Sequence, residues 1–458
     1  MSVGVGARLS RAVAPLLQSR SLAPRTIVVL LVLIVLSGGA LRGLAAAQPD
    51  KAYVSQDARA YAQLGKSLTR GEYDQGTHSD NLRWPPLAPA FFAAAALLTP
   101  SSPAAGEPTD LPAAYWLQAI VSTATLLLVF ALAGLLAGPV AGLVASALVA
   151  FYPPLISING SLISETLGAF LAMGAILLIV LSLRIGSWRS AAVAGAALGL
   201  LVLTRADFLA AIALVSIAIA MLARRQGRGA ALAQAGAFAA AAVLVIAPWT
   251  IYASGREGHF VPVTTGSGPV LFTGTYLPGG GTTVGMKKAF EPELRRRHPE
   301  YQTTKIHKIP AKHVMSLVAS RHPELTRDAA LRREGLRNLV KYGFGDPIDF
   351  AAMTLAKVGR LWGEYYQGGG VYHRSVVMRS YQWLLVAIAV CGLVALLARR
   401  RLTGPFALVF GLVLYSTLLH AVVLSEARYN LPLMPMLVAA GVAALAVAFS
   451  RDRPVQNR

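Results

Sequence analysis

The sequence predicts an all-α polytopic membrane protein, a bundle of about ten transmembrane helices with outer-face interfacial helices and a long extracytoplasmic loop. Three observations lead there. The 458 residues are 55% hydrophobic and only 14% charged, with a mean hydropathy of +0.55, which is more apolar surface than one water-soluble core can hide. Apolar blocks of about 20 residues, the length that crosses a bilayer, recur along the chain. Arginine clusters separate them, as the positive-inside bias produces.

Candidate spans run over 27–47, 115–135, 139–156, 163–183, 190–204, 207–223, 230–252, 380–398, 404–424 and 430–450. The first follows a basic, acid-free N-terminal segment (1–26) and is longer than a signal-peptide core, so an uncleaved helix is expected. The clusters RIGSWR, ARRQGR and ARRRL, together with both termini, mark the cytoplasmic side. The site region then falls on the extracytoplasmic face of a plasma (inner) membrane. WPPLAPAFFAAAALLTP, from Trp84 to Pro100, disturbs the parity: counted as a full crossing, it would invert every later loop. It reads instead as an interfacial or half-embedded helix. The chain thus divides into 1–26, a transmembrane region 27–252 that includes an outer loop 48–114, an extracytoplasmic segment 253–379, transmembrane helices 380–450 and a cytoplasmic tail 451–458.

The formal charge of +21, from 42 Lys and Arg against 21 Asp and Glu, is carried largely by the short connections and the long outer segment, so no nucleic acid is expected as partner. Cys391, the single cysteine, lies in an apolar run and excludes a disulfide or thiolate metal site within one chain. Abundant alanine and a preference for Arg over Lys match a GC-rich bacterial sequence.

Charged residues beside apolar blocks are costly, and four stretches contain them. Asp57 opens the helix-like QDARAYAQLGKSL, where Ala58, Tyr61, Leu64, Gly65 and Leu68 recur at helical spacing. It can cap the first turn, yet its place just beyond the first span also aims it at a cavity on the membrane face. Glu165 begins a span, a position the helix dipole favours, and reaches the same outer face. Arg205 and Asp207 interrupt LTRADF, either as a local ion pair or with Arg205 facing a phosphate. Glu426, Arg428 and Tyr429 precede the last span, again as a loop pair or as a phosphate site, since guanidinium forks suit phosphate.

In the outer segment, TTGSGPVLFTGTYLPGGGTTVG reads as a flexible glycine-rich loop, having no phosphate-loop spacing. His298, His307, His313 and His322 fit no common metal-ligand pattern. FAAMTLAKVGRLWGEYY carries a stripe of Met353, Leu355, Val358, Leu361 and Trp362 suited to interfacial docking. Tyr365, Tyr366 and His373 are candidate sugar or headgroup contacts.

Taken in order, QDARAYAQLGKSL, RWPPLAPAFFA, NGSLISETL, LTRADF, IAPWTIYASGREGHFVPVTTGSGPVLFTG and SEARYNLPLMP resemble the GT-C superfamily of membrane glycosyltransferases, in the branch of protein O-mannosyltransferases and lipid A aminoarabinose transferases. The resemblance implies a GT-C-like bundle. It also implies inverting transfer of a sugar from a polyprenyl-phosphate-linked donor to an extracytoplasmic acceptor. Asp57 matches the family's proposed base and Glu165 its second acidic residue, the two candidate catalytic groups. Arg205 and Arg428 match its carrier-phosphate ligands, and Tyr61, Arg83, Tyr429 and His373 are candidate substrate contacts. Two departures stand out: Arg205-Ala206 replaces the usual Arg-Pro, and Asp57-Ala58 replaces the acidic pair of some branches. No cofactor is expected, and a divalent metal would lack that pair. A transporter or flippase of lipid-linked sugars, and a non-catalytic assembly subunit, are the alternative functions.

Overall fold

Within lipid, each backbone N–H and C=O must be satisfied inside the protein, so apolar segments of bilayer length fold as helices. A computed structural model, which describes Leu16 and residues 22–49, 55–74, 81–98, 110–365 and 375–450, contains helices and no strand among the described residues. The terminal tails and His373 lie outside them.

The first span is α1 (Pro24–Ala47). In the connection that follows, α2 (Gln56–Leu68) and α3 (Leu87–Leu98) pack on each other, and a Cβ on Gly65 would already stand 3.0 Å from Phe92. With 12 residues α3 rises roughly 18 Å, well short of the ~30 Å hydrocarbon core, as an interfacial or half-embedded helix would.

α4 (Pro112–Ala137) and α5 (Pro139–Ala150) come next. After them Pro153 and Pro154, which have no N–H to donate, begin α6 (Pro153–Ser157), and the path bends by 63°. The carbonyls freed at the end of α5 are not left bare. Arg42 of α1, fully buried, donates to Ala150 O at 2.9 Å and Val149 O at 3.2 Å, and to Ser122 Oγ at 2.8 Å. A buried intramembrane cation thereby satisfies a broken helix.

The first half closes with α7 (Glu165–Ile185), α8 (Trp188–Val202), α9 (Ala211–Leu222, prolonged by 3-10 turns to 206–226) and α10 (Arg228–Glu257). α8 and α10 meet backbone to backbone, since a Cβ on Gly195 would fall 2.0 Å from Phe238 O. Small residues at such crossings let helices associate in lipid without a hydrophobic driving force.

The long segment after α10, expected from the sequence to be the outer one, folds around its own core of Phe272, Met286, Phe290, Leu294, Val314, Leu317 and Leu331. Its helices are α11 (Ser267–Thr275), α12 (Thr283–Ala289), α13 (Glu291–Arg297), α14 (Ala311–Ala319), α15 (Arg327–Gly345) and α16 (Pro347–Gly363). Two sequence expectations change here. The glycine-rich stretch is largely helical, and Gly268 and Gly274 serve close packing: a Cβ there would lie 2.1 Å from Asp328 O and 2.2 Å from the Val423 carbonyl carbon. The apolar stripe of α16 also turns mainly inward, with Met353 and Leu361 buried and Trp362 Nε1 donating to Thr417 Oγ1 at 3.1 Å. Only Leu355 of that stripe is exposed.

Finally α17 (Val376–Ala398), α18 (Gly404–Val422) and α19 (Met434–Phe449) complete the bundle. Among the described residues, seven helices are long and apolar enough to cross a bilayer, and counting the bent α5–α6 pair as one span brings the number to eight. The shorter α8 and α19 stand at the two remaining expected spans. α19 is central, with every residue from Met434 to Ala444 buried.

Candidate active site

Four separate stretches converge at one end of the bundle, each delivered by a helix start or a helix break. Ser55, not Asp57, caps α2, its Oγ accepting from Ala58 N at 3.1 Å. The Asp57 carboxylate, in the first turn, accepts from Arg428 Nη2 at 2.5 Å. Arg428 lies in the 3-10 turn Ala427–Asn430 before α19, and its Nε donates to Glu426 Oε2 at 2.9 Å.

Glu165, the first residue of α7, stands between the arginines: its Oε1 is 3.7 Å from Arg428 Nη1 and 3.7 Å from Arg205 Nη1. Its other carboxylate oxygen is buried with no hydrogen-bond partner among the described residues. Arg205 occupies the break after α8 and donates to Asp207 Oδ1 at 3.3 Å and Oδ2 at 3.2 Å. Both local pairs read from the sequence therefore form, and both arginines face one cavity as well. The Tyr429 ring lies 5.6 Å from the Arg205 guanidinium and 5.4 Å from that of Arg428. Gly168, one turn into α7, permits this approach, because a Cβ there would lie 2.9 Å from Arg205 Cδ.

Two cavities meet at these residues. The larger, about 580 Å³, has Glu165, Arg205 and Asp207 at its polar end and Leu209, Leu271, Leu419 and Val423 along its apolar walls. The smaller, about 460 Å³, lies against the outer segment and reaches Lys312, Arg327, Glu364 and Tyr365. Asp57, Arg83, Arg428 and Tyr429 line both. Tyr61 lines the larger cavity. Burial alone would raise the Asp57 pKa; the charges of Arg428 and Arg83 outweigh it and hold the carboxyl below its ordinary value.

His420 and Tyr415 of α18 were not read from the sequence as site residues. His420 Nδ1 is 2.8 Å from Ser416 O, and because a carbonyl only accepts, that nitrogen carries the proton. Nε2 then faces Asp207 Oδ2 at 3.9 Å, on the wall of the larger cavity. Tyr415 Oη donates to Asp207 O at 2.5 Å. An imidazole within an apolar span was the available signal. His373 and Tyr366 lie outside the described residues.

The described helices form a multi-pass bundle with a charged cavity at one end, and this architecture is similar to that of solved structures with the GT-C fold. No family model matches the sequence, and no curated protein matches it. Among solved structures, the oligosaccharyltransferase of Archaeoglobus fulgidus tethered to an acceptor peptide superposes with a TM-score of 0.52 at 15% identity, over 92% of this chain and 49% of that one. The same archaeal enzyme, AglB, in complex with an inhibitory peptide and a dolichol-phosphate, gives 0.51 at 16% identity, over 92% and 50%. The chain thus spans about half the length of these structures. ArnT from Cupriavidus metallidurans in the apo state matches over 92% of this chain and 76% of its own at a TM-score of 0.40 and 15% identity.

Proposed function

We propose that this protein is an inverting glycosyltransferase that moves a sugar from a polyprenyl-phosphate-linked donor to an extracytoplasmic acceptor, with Asp57 as general base. The observation that carries the reading is the shared wall: one carboxylate, ion-paired to one of two arginines, stands where an apolar-walled cavity meets a polar one. The apolar walls suit an isoprenoid, and Arg205 and Arg428 suit its phosphate. The capture of the similar archaeal enzyme with dolichol-phosphate supports the donor class.

In this reading the acceptor hydroxyl attacks the anomeric carbon from the Asp57 side. Its proton passes to the carboxylate, and the bond from that carbon to the phosphate oxygen breaks, its electron pair leaving with the phosphate. Arg205 and Arg428 stabilise the extra negative charge electrostatically, with no step that calls on a metal. Asp57 held by Arg428 is a weak base. A donor phosphate that draws Arg428 toward itself loosens this grip, so the base gains strength only once donor is present. Glu165, with an oxygen that has no partner among the described residues, accepts from a sugar hydroxyl. The active site faces outward from a plasma membrane with both chain ends cytoplasmic.

The test is transfer from a radiolabelled polyprenyl-phosphate sugar by purified protein. Asp57→Asn should lower turnover by roughly 10²–10⁴-fold, the usual worth of a general base, while donor binding persists. Wild-type rates in that variant would remove Asp57 from the chemistry. Donor crossing a proteoliposome membrane without sugar transfer would instead favour a flippase.

A further inference from the structure

Outside the site, α15 and α16 form a hairpin whose outer face has no covering element among the described residues. On α15, Leu336, Val340 and Phe344 recur every four residues at 53%, 62% and 85% exposure. On α16, Ile348, Ala351, Ala352, Leu355 and Gly359 make an equally exposed apolar face at helical spacing. The opposite faces, with Leu331, Gly335 and Tyr342 on α15 and Met353, Lys357 and Leu361 on α16, are buried.

Where this face sits follows from its anchors. Lys357 Nζ donates to Val422 O at 2.9 Å, the outer end of α18, and Trp362 bonds one turn deeper in the same span. Arg332, one turn before Leu336, is on the rim of the larger cavity beside Leu271, Leu419 and Val423. The exposed stripe therefore begins where the apolar cavity walls end. Arg333, Arg337 and Lys341 border it on α15, and Asp346 and Asp349 stand at the turn between the helices, all exposed. Apolar side chains at the end of a membrane span, edged by cations, match acyl chains beneath phosphate headgroups.

We propose that the α15–α16 hairpin is seated in the outer leaflet, with Leu336, Val340, Phe344, Ile348 and Leu355 among the acyl chains and Arg333, Arg337 and Lys341 at the lipid phosphates. The partner is the bilayer itself, and the inference does not depend on transferase activity.

Full-length protein in nanodiscs provides the test. In a Cys391→Ser background, Phe344→Cys and Leu355→Cys are each labelled with an environment-sensitive fluorophore, with Lys305→Cys as an outer-segment control. Seating in the leaflet gives blue-shifted emission at 344 and 355 and a loss of intensity when the lipids carry a spin label high on the acyl chain. The label at 305 shows neither change. Water-like, unquenched emission at 344 and 355 overturns the proposal. So does emission that changes only when two chains occupy one disc, which would assign the face to a second copy.

Discussion

Arg428 is held by three carboxylates, Asp57, Glu165 and Glu426, so removing it leaves charge unpaired in a partly buried place. Breaking a fully buried pair costs about 3–5 kcal/mol. Arg428→Gln should fall short of that, because the Asp57 side chain keeps 24% exposure. Thermal unfolding in detergent should still show a clear loss, and a melting temperature equal to wild type would mean these pairs are solvated. Gly168→Ala separates position from charge: its methyl group must displace Arg205 while every charge remains. The expected result is a raised donor KM together with a lowered kcat, read from initial rates, because the proposed role of Arg205 covers both the bound phosphate and the charge it gains on leaving. An unchanged KM would take Arg205 out of donor binding. The residue types at this site were visible in the sequence because charge beside an apolar block is conspicuous. Their pairing was not, since Asp57 and Arg428 stand 371 positions apart.

Helices of bilayer length were legible one by one, because hydropathy over about 20 residues reports a property of the segment itself. The glycine-rich part of the outer segment was not. Gly268 and Gly274 owe their identity to the backbones of Asp328 and Val423, and no local pattern records a distant neighbour. The inward turn of α16 has the same origin. Its buried Lys357 donates to Gly274 O at 2.8 Å and to Val422 O, joining outer segment to bundle. Burial, helped by Arg360, pushes its ammonium down to about 7. In the unfolded chain the pKa is about 10.4, so between the two values the unfolded state holds a proton that the folded state sheds. This contribution to stability therefore rises with pH from about 7 upward and is least favourable below 7. Lys357→Met should flatten that rise in unfolding curves followed by tryptophan fluorescence, and an unchanged slope would mean the lysine is solvated.

At the scale of the whole molecule, the resemblance read from six ordered segments led to the fold that the superpositions display, though identity to those structures is only 15–16%. What the likeness shows at that distance is the fold alone; within this chain, helix starts and breaks bring the polar groups to one end of an apolar bundle. The two cavities sharing Asp57, Arg428 and Tyr429 have a consequence for the order of events. Under the proposed transfer, donor and acceptor each have a cavity, so neither has to depart before the other enters, and no sugar need ever be parked on the protein. Initial velocities measured against both substrates should therefore give intersecting double-reciprocal lines. Parallel lines would reveal a ping-pong enzyme with a glycosylated intermediate, and the common wall would then be a single doorway used twice.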